Sequence, residues 1–174
     1  MRASVFIATS LDGFIARKNG DVDWLGDPEA GGDDGGFGEF MQTVDVLVMG
    51  RNTFEKVLSF GDWPYGSTQV AVLTSRPLSI TDELASTVEA MSGSPGDVVA
   101  QLSERGAQHL YVDGGKTIQA FLDAAEIQRL IITRIPVLLG DGIPLFGPLP
   151  QDIRLKHIET RTFNGNVQSE YEVA

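Results

Sequence analysis

The chain has 174 residues, of which 42% are hydrophobic and 21% charged, enough for one core that buries roughly two-thirds of the surface the unfolded chain exposes. Twenty-four acidic against 13 basic residues leave a net charge of −11, which disfavours a nucleic-acid backbone or an anionic membrane surface as partner. The absence of cysteine excludes disulfides, a thiol nucleophile and a thiolate metal site, and with only two histidines, His109 and His157, no metal site is expected.

Met1–Ile7 reads as the start of a strand rather than a signal peptide, and no apolar run reaches the roughly 20 residues that span a bilayer. The expectation is a cytoplasmic protein with one domain over residues 1–174.

In chain order, the apolar, β-branched run Val5–Ala8 predicts the first strand. Ser10-Leu11-Asp12-Gly13 turns the chain back to Phe14-Ile15, and Asn19-Gly20-Asp21-Val22-Asp23-Trp24 reads as a polar loop. Gly31–Gly36, with Asp33 and Asp34 between its glycines, is locally low in complexity and reads as a mobile loop. Helical spacing follows over Gly38–Val44, then a strand over Val46–Met49, a helix over Thr53–Phe60 and a strand over Val70–Leu73. A helix over Gly96–Arg105 precedes a strand over Leu110–Val112. In Thr117–Ala125, the residues Ile118, Phe121, Leu122 and Ala125 recur at three- and four-residue steps, the mark of a helix with one buried face. Leu130–Val137 is again strand-like. Ile153–Phe163 and Val167–Val173 flank Asn164-Gly165-Asn166, a strong hairpin signal. Alternating strands and helices ending in a hairpin predict an α/β fold: a mixed, mostly parallel sheet between helices, closed by an antiparallel pair.

Three strand ends carry the residues that suit a dinucleotide. Gly50-Arg51-Asn52-Thr53 and Gly114-Gly115-Lys116-Thr117-Ile118 each run from a strand into a helix, where backbone N–H groups and the helix dipole favour an anion. Thr74-Ser75-Arg76 sets two hydroxyls and a guanidinium after a third strand, a cluster suited to a phosphate. Each also has a plain reading: Gly114-Gly115 as a tight turn, Arg51 as a solvated side chain, Thr74–Pro77 as an ordinary turn. Neither phosphate-loop motif fits. The spacing of a P-loop would need glycine where Leu110 stands, and G-x-G-x-x-G does not occur between a strand and a helix.

Taken in order, Ser10-Leu11-Asp12-Gly13-Phe14-Ile15-Ala16, Met49-Gly50-Arg51-Asn52-Thr53-Phe54-Glu55, Asp113-Gly114-Gly115 with Phe121-Leu122, and Ile135–Phe146 resemble the dihydrofolate reductase-like superfamily. The resemblance is to the branch that holds the pyrimidine reductase domain of riboflavin biosynthesis, and it covers nearly the whole chain. It implies a three-layer dihydrofolate reductase-like fold, a homodimer, and an NADPH-dependent oxidoreductase that passes a hydride to a pyrimidine- or pteridine-type substrate. Ala8 and Ile15 would meet the nicotinamide through their backbones, with Asn19 and Gly20 in the loop over it. Gly50, Arg51, Asn52 and Thr53 would hold phosphates, Thr74, Ser75 and Arg76 the adenosine 2′-phosphate, and Gly114, Gly115, Lys116, Thr117 and Ile118 the pyrophosphate and ribose. Asp34, and next to it Asp33, would act as an acid or a substrate-orienting carboxylate, supported by Thr133.

The sequence departs from the pattern at two places. Tyr65–Gln69 lacks the arginine with which folate reductases hold the glutamate tail, and Pro28-Glu29-Ala30 leads into Asp33 and Asp34 where the riboflavin-pathway reductases carry basic residues. Dihydrofolate reduction therefore stands as the alternative activity, and a nucleotide-binding module without turnover as the alternative of another class.

Overall fold

The computed structural model describes residues 1–26 and 32–174. Pro28, Glu29, Ala30 and Gly31 of the loop reading lie outside the described residues.

Strand β1 (Arg2–Ser10) leads into a short β2 (Phe14–Ala16) and a 3₁₀ turn over Asp23–Leu25. Helix α1 (Phe37–Gln42) precedes β3 (Val46–Gly50), which passes without a loop into α2 (Arg51–Ser59). Strands β4 (Gln69–Leu73) and β5 (Val88–Met91) and helix α3 (Pro95–Glu104) follow. Strand β6 (His109–Asp113) feeds α4 (Gly115–Asp123), and β7 (Arg129–Ile135) precedes the two-residue β8 (Ile143–Pro144). The hairpin β9 (Leu155–Phe163) and β10 (Asn166–Val173) closes the chain.

Eight strands form one sheet in the order β5-β4-β3-β6-β1-β7-β10-β9. The six from β5 to β7 are parallel, and β10 and β9 run antiparallel at one edge. Alternation along the strands divides the core. Leu47, Met49, Val70, Val72 and Tyr111 point to the side of α1 and α2, where Phe40 and Phe54 meet them. Val48, Ala71, Leu110 and Val112 point to the other side, against Val98 and Leu102 of α3 and Ile118, Phe121 and Leu122 of α4. The result is the three-layer α/β arrangement with a mixed, mostly parallel sheet and a C-terminal antiparallel hairpin.

Every strand and helix expected from the sequence is present, with ends moved by a few residues. Strand β5 is an addition: it is four residues long and carries Glu89 at an exposed position, so neither its length nor its pattern marks it as a strand. Strands β2 and β8 pair only with each other and lie over the start of α4.

The helices differ at their N-termini. Helix α3 carries a full capping box, in which Ser94 Oγ accepts from the Asp97 N–H and the Asp97 carboxylate accepts from the Ser94 N–H. Helices α2 and α4 have no side-chain cap and no acidic residue in the first turn. Both begin at the carboxyl edge of neighbouring parallel strands, β3 and β6.

Candidate functional site

The two uncapped helix starts interlock. A Cβ on Gly50 would stand 2.9 Å from Thr117 Oγ1, and one on Gly114 would stand 2.5 Å from Thr53 Oγ1. Each glycine thus makes room for the threonine of the other helix, and Gly114 also has φ of +95°, which an L side chain adopts only under strain. The first turns of α2 and α4, which carry no side-chain cap, thus begin side by side, with both helix dipoles adding positive potential. Buried Ile118 belongs to the core beneath α4.

Arg51 joins this edge to the next. Its Nε donates to Glu55 at 2.8 Å, and its Nη1 donates to the Pro77 carbonyl at 2.9 Å and to Thr74 Oγ1 at 3.3 Å. The Arg51 and Thr74 segments, 23 residues apart in sequence, therefore form one surface. Thr74 Oγ1 also accepts from the Arg76 N–H, and the side chains of Ser75, Arg76, Asn52 and Lys116 are exposed. Arg51, Arg76 and Lys116 thus follow the carboxyl ends of the neighbouring strands β3, β4 and β6 in an otherwise acidic protein.

The opposite wall comes from β2 and the turns around it. Ile15 packs over Gly115, where an added Cβ would lie 3.2 Å from Ile15 Cδ1. Asn19 holds Asp21 by side-chain and backbone hydrogen bonds, and Asp21 pairs with Lys56 of α2, so Asn19 and Gly20 are tied to the same helix as Arg51. Asp12, which the sequence presents as a plain turn residue, accepts from the N–H groups of Leu139 and Gly140 and from Ser10 Oγ. These bonds fasten the loop after β7 to the end of β1 and hold the Asp12 carboxyl below its usual range.

Ala8 and Thr133 are register partners on β1 and β7. Asp34 lies at the start of α1. Its Oδ1 accepts from the Gly36 N–H and its Oδ2 from the Gly38 N–H, both at 2.8 Å, and these bonds depress its pKa. It is a carboxylate that stays ionised and accepts hydrogen bonds. Asp33 accepts from the Gly35 N–H and meets Arg161 Nη1 at 3.4 Å.

Three residues of this region have no site role in the sequence pattern, although Asp113 belongs to the Asp113-Gly114-Gly115 motif. Gln168 and Arg161, on the hairpin, connect Asp33, Gly35 and Thr133; a polar residue within a strand is too common to mark them. Asp113 ends β6 on the same side as Tyr111, hence on the face of α1 and α2. Burial pushes its carboxyl up to about 6, against the lowering effect of the Gly114 N–H that its Oδ1 accepts. Burial, and to a lesser degree the Asp113 charge, raise the Tyr65 phenol well above its ordinary value. The sequence signal was present: an acidic residue closing an apolar strand directly before Gly114-Gly115.

Among the described residues no group of three or more histidines or acidic side chains is placed to hold a metal ion, and no helix is long and apolar enough to cross a membrane.

Comparison with known proteins agrees with this architecture. The family profile of the RibD C-terminal domain matches residues 4–169. YwjB of Bacillus subtilis strain 168 is 36% identical over 168 residues, covering 96% of this chain and 95% of YwjB. A crystal structure from Shewanella sp. PV-4, of a protein assigned to riboflavin biosynthesis by name alone, superposes with a TM-score of 0.92 at 42% identity, covering 100% of this chain and 99% of the other. Two more distant structures share the fold. The Thermotoga maritima diaminohydroxyphosphoribosylaminopyrimidine deaminase/5-amino-6-(5-phosphoribosylamino)uracil reductase has a TM-score of 0.76 at 16% identity, over 99% of this chain and 56% of that one. Dihydrofolate reductase from Enterococcus faecalis, complexed with NADP(H), has a TM-score of 0.69 at 18% identity, over 99% and 96%. The sheet and its layers are thus those of the dihydrofolate reductase-like fold.

Proposed function

The chain belongs to the family of RibD C-terminal domains, and from that premise we propose that it is an NADPH-dependent reductase of a pyrimidine- or pteridine-type heterocycle, with a substrate related to 5-amino-6-(5-phosphoribosylamino)uracil. The observation that carries the reading is the pair of uncapped, interlocked helix starts at Gly50 and Gly114, bordered by Arg51, Arg76 and Lys116. Two phosphate-sized anions linked together suit two adjacent helix N-termini, and a further phosphate suits the Thr74-Ser75-Arg76 turn.

The residues present fit such a cofactor. The first-turn amides of α2 and α4, with Asn52, Thr53, Lys116 and Thr117, hold the pyrophosphate. Thr74, Ser75 and Arg76 hold the 2′-phosphate. Ala8, Ile15, Asn19 and Gly20 border the nicotinamide, which supplies the hydride when bound. No protein nucleophile is required.

The chain's own residues orient the acceptor. Ionised Asp34 accepts from an N–H of the heterocycle and Thr133 supports it, with Asp33 holding the turn in which Asp34 sits. A proton is most readily given near neutral pH by a group whose pKa lies there; Asp34, held ionised by the Gly38 and Gly36 amides, does not meet that condition and orients the ring instead. The reading includes one cytoplasmic domain acting as a homodimer.

The test is titration with NADPH and with NADH, for the native chain and for Arg76→Ala. The reading expects NADPH to bind more tightly than NADH, and Arg76→Ala to remove about tenfold or more of that preference, the worth of one charge-assisted contact. Equal affinities, or no binding, would sink it. Oxidation of NADPH on addition of 5-amino-6-(5-phosphoribosylamino)uracil or dihydrofolate then distinguishes the acceptors, and oxidation with neither leaves a binding module.

A further inference from the structure

The hairpin at the end of the chain reaches back to the turn before α1. Gln168 is 7% exposed, and every polar atom of its amide is engaged. Nε2 donates to the Gly35 carbonyl and to Thr133 Oγ1, both at 3.0 Å, and Oε1 accepts from Arg161 Nε at 2.9 Å. A carbonyl and a guanidinium fix which end of the amide is which, because the first only accepts and the second only donates. The surrounding contacts close on the same turn. Asn164 Nδ2 donates to the Asp33 carbonyl at 3.0 Å, Arg161 pairs with Asp33, and the Phe163 ring fills the space beside Gly35, where an added Cβ would stand 2.7 Å away.

We propose that Gln168 is a positioning residue of the candidate site, setting both the Asp33–Gly36 turn and the direction of the Thr133 hydroxyl. One NH₂ group performs both tasks. By holding the Gly35 carbonyl it fixes the residues on which the Asp34 carboxylate folds back, since Gly36 and Gly38 are the amides that Asp34 accepts. By donating to Thr133 Oγ1 it occupies a lone pair of that oxygen and leaves the hydroxyl hydrogen free to be donated on the α1 face of the sheet. Thr133 is buried, and no acceptor for its hydrogen occurs among the described residues. A carboxylate acceptor and a hydroxyl donor are thereby held in fixed relation by a side chain that touches neither the proposed cofactor edge nor the Asp34 carboxylate. The catalytic part rests on the reductase reading; the mechanical part does not.

Gln168→Glu keeps the shape and the Arg161 contact but replaces the donor by an acceptor that repels the Gly35 carbonyl and draws the Thr133 hydrogen inward. Gln168→Leu removes all three bonds, and Thr133→Val removes the hydroxyl alone. Hydrogen exchange of the Gly36 and Gly38 amides, NADPH titration and turnover of 5-amino-6-(5-phosphoribosylamino)uracil are measured on the full chain. Both Gln168 variants are expected to exchange those amides about tenfold faster or more and to lose about tenfold in kcat, the scale of one or two hydrogen bonds, with NADPH affinity within about twofold of the native value. Thr133→Val is expected to lose kcat with native exchange. Native exchange in both Gln168 variants overturns the proposal, as does faster exchange with unchanged kcat. If the native protein turns over no acceptor, the reductase reading falls and the exchange rates alone decide the clamp.

Discussion

Thr53 and Thr117 stand in reciprocal positions, each placing its Oγ1 where a Cβ on the other helix's leading glycine would fall, at 2.5 Å for Gly114 and 2.9 Å for Gly50. This contact lets two helices begin side by side on adjacent strands. It also separates the demands on the two glycines. Gly50 has an ordinary φ of −76° and is limited only by contact, whereas Gly114 is limited by contact and by its φ of +95°.

Gly50→Ala should therefore lower stability by about 1–2 kcal/mol through overpacking, and Thr117→Ala in the same chain should restore most of it. Gly114→Ala should cost about 1–3 kcal/mol more, because relief by Thr53→Ala leaves the backbone strain in place. Thermal or urea unfolding of the two singles and two doubles measures the difference. Equal rescue in both pairs would remove the distinction.

Asp113 has its carboxyl raised to about 6 from 3.8, so the folded protein binds its proton more tightly than the unfolded chain does. Its contribution is greatest below pH 4 and is lost as pH rises through 6. By pH 7 the buried charge costs up to about 3 kcal/mol. Asp113→Asn should accordingly raise the Tm at pH 7 and leave it little changed near pH 4. A Tm gain that is the same at both pH values would contradict this account.

For Asp34 the sign is opposite. Its pKa is depressed by the N–H groups of Gly38 and Gly36, so its contribution is present above the unfolded value near 4 and is lost as pH falls below it. Asp34→Asn retains one acceptor for two amides and should cost about 1 kcal/mol, as for a lost helix cap. The loss should vanish in melts at the acid end of the range. It should also reduce turnover more than it weakens NADPH binding.

Arg51 brackets α2 to the turn after β4 through Thr74 Oγ1 and the Pro77 carbonyl. Arg51→Lys keeps the charge but loses the fork of donors. NADPH should bind about tenfold more weakly to it, with NADH weakened less, because the 2′-phosphate turn loses its support. Equal weakening of the two cofactors in titration would place Arg51 on the pyrophosphate alone.

Local chemistry determined much of this protein. The period-two and period-3.6 patterns placed the strands and helices, Asn164-Gly165 placed the hairpin, and glycine with a cation at the end of an apolar run marked Gly50-Arg51 and Gly114-Gly115-Lys116, because propensity, turn geometry and helix polarity act within a few residues. What only the tertiary structure decided acts between distant ones. Nothing near Gly114 announces that Thr53 will fill the space beside it. Asp113 acquires its raised carboxyl from desolvation in the folded chain, and Gln168 acquires its role from Gly35 and Thr133, which lie 133 and 35 residues away. Desolvation and close packing depend on which surfaces meet in the assembled sheet, and that is settled by the strand order rather than by any one segment.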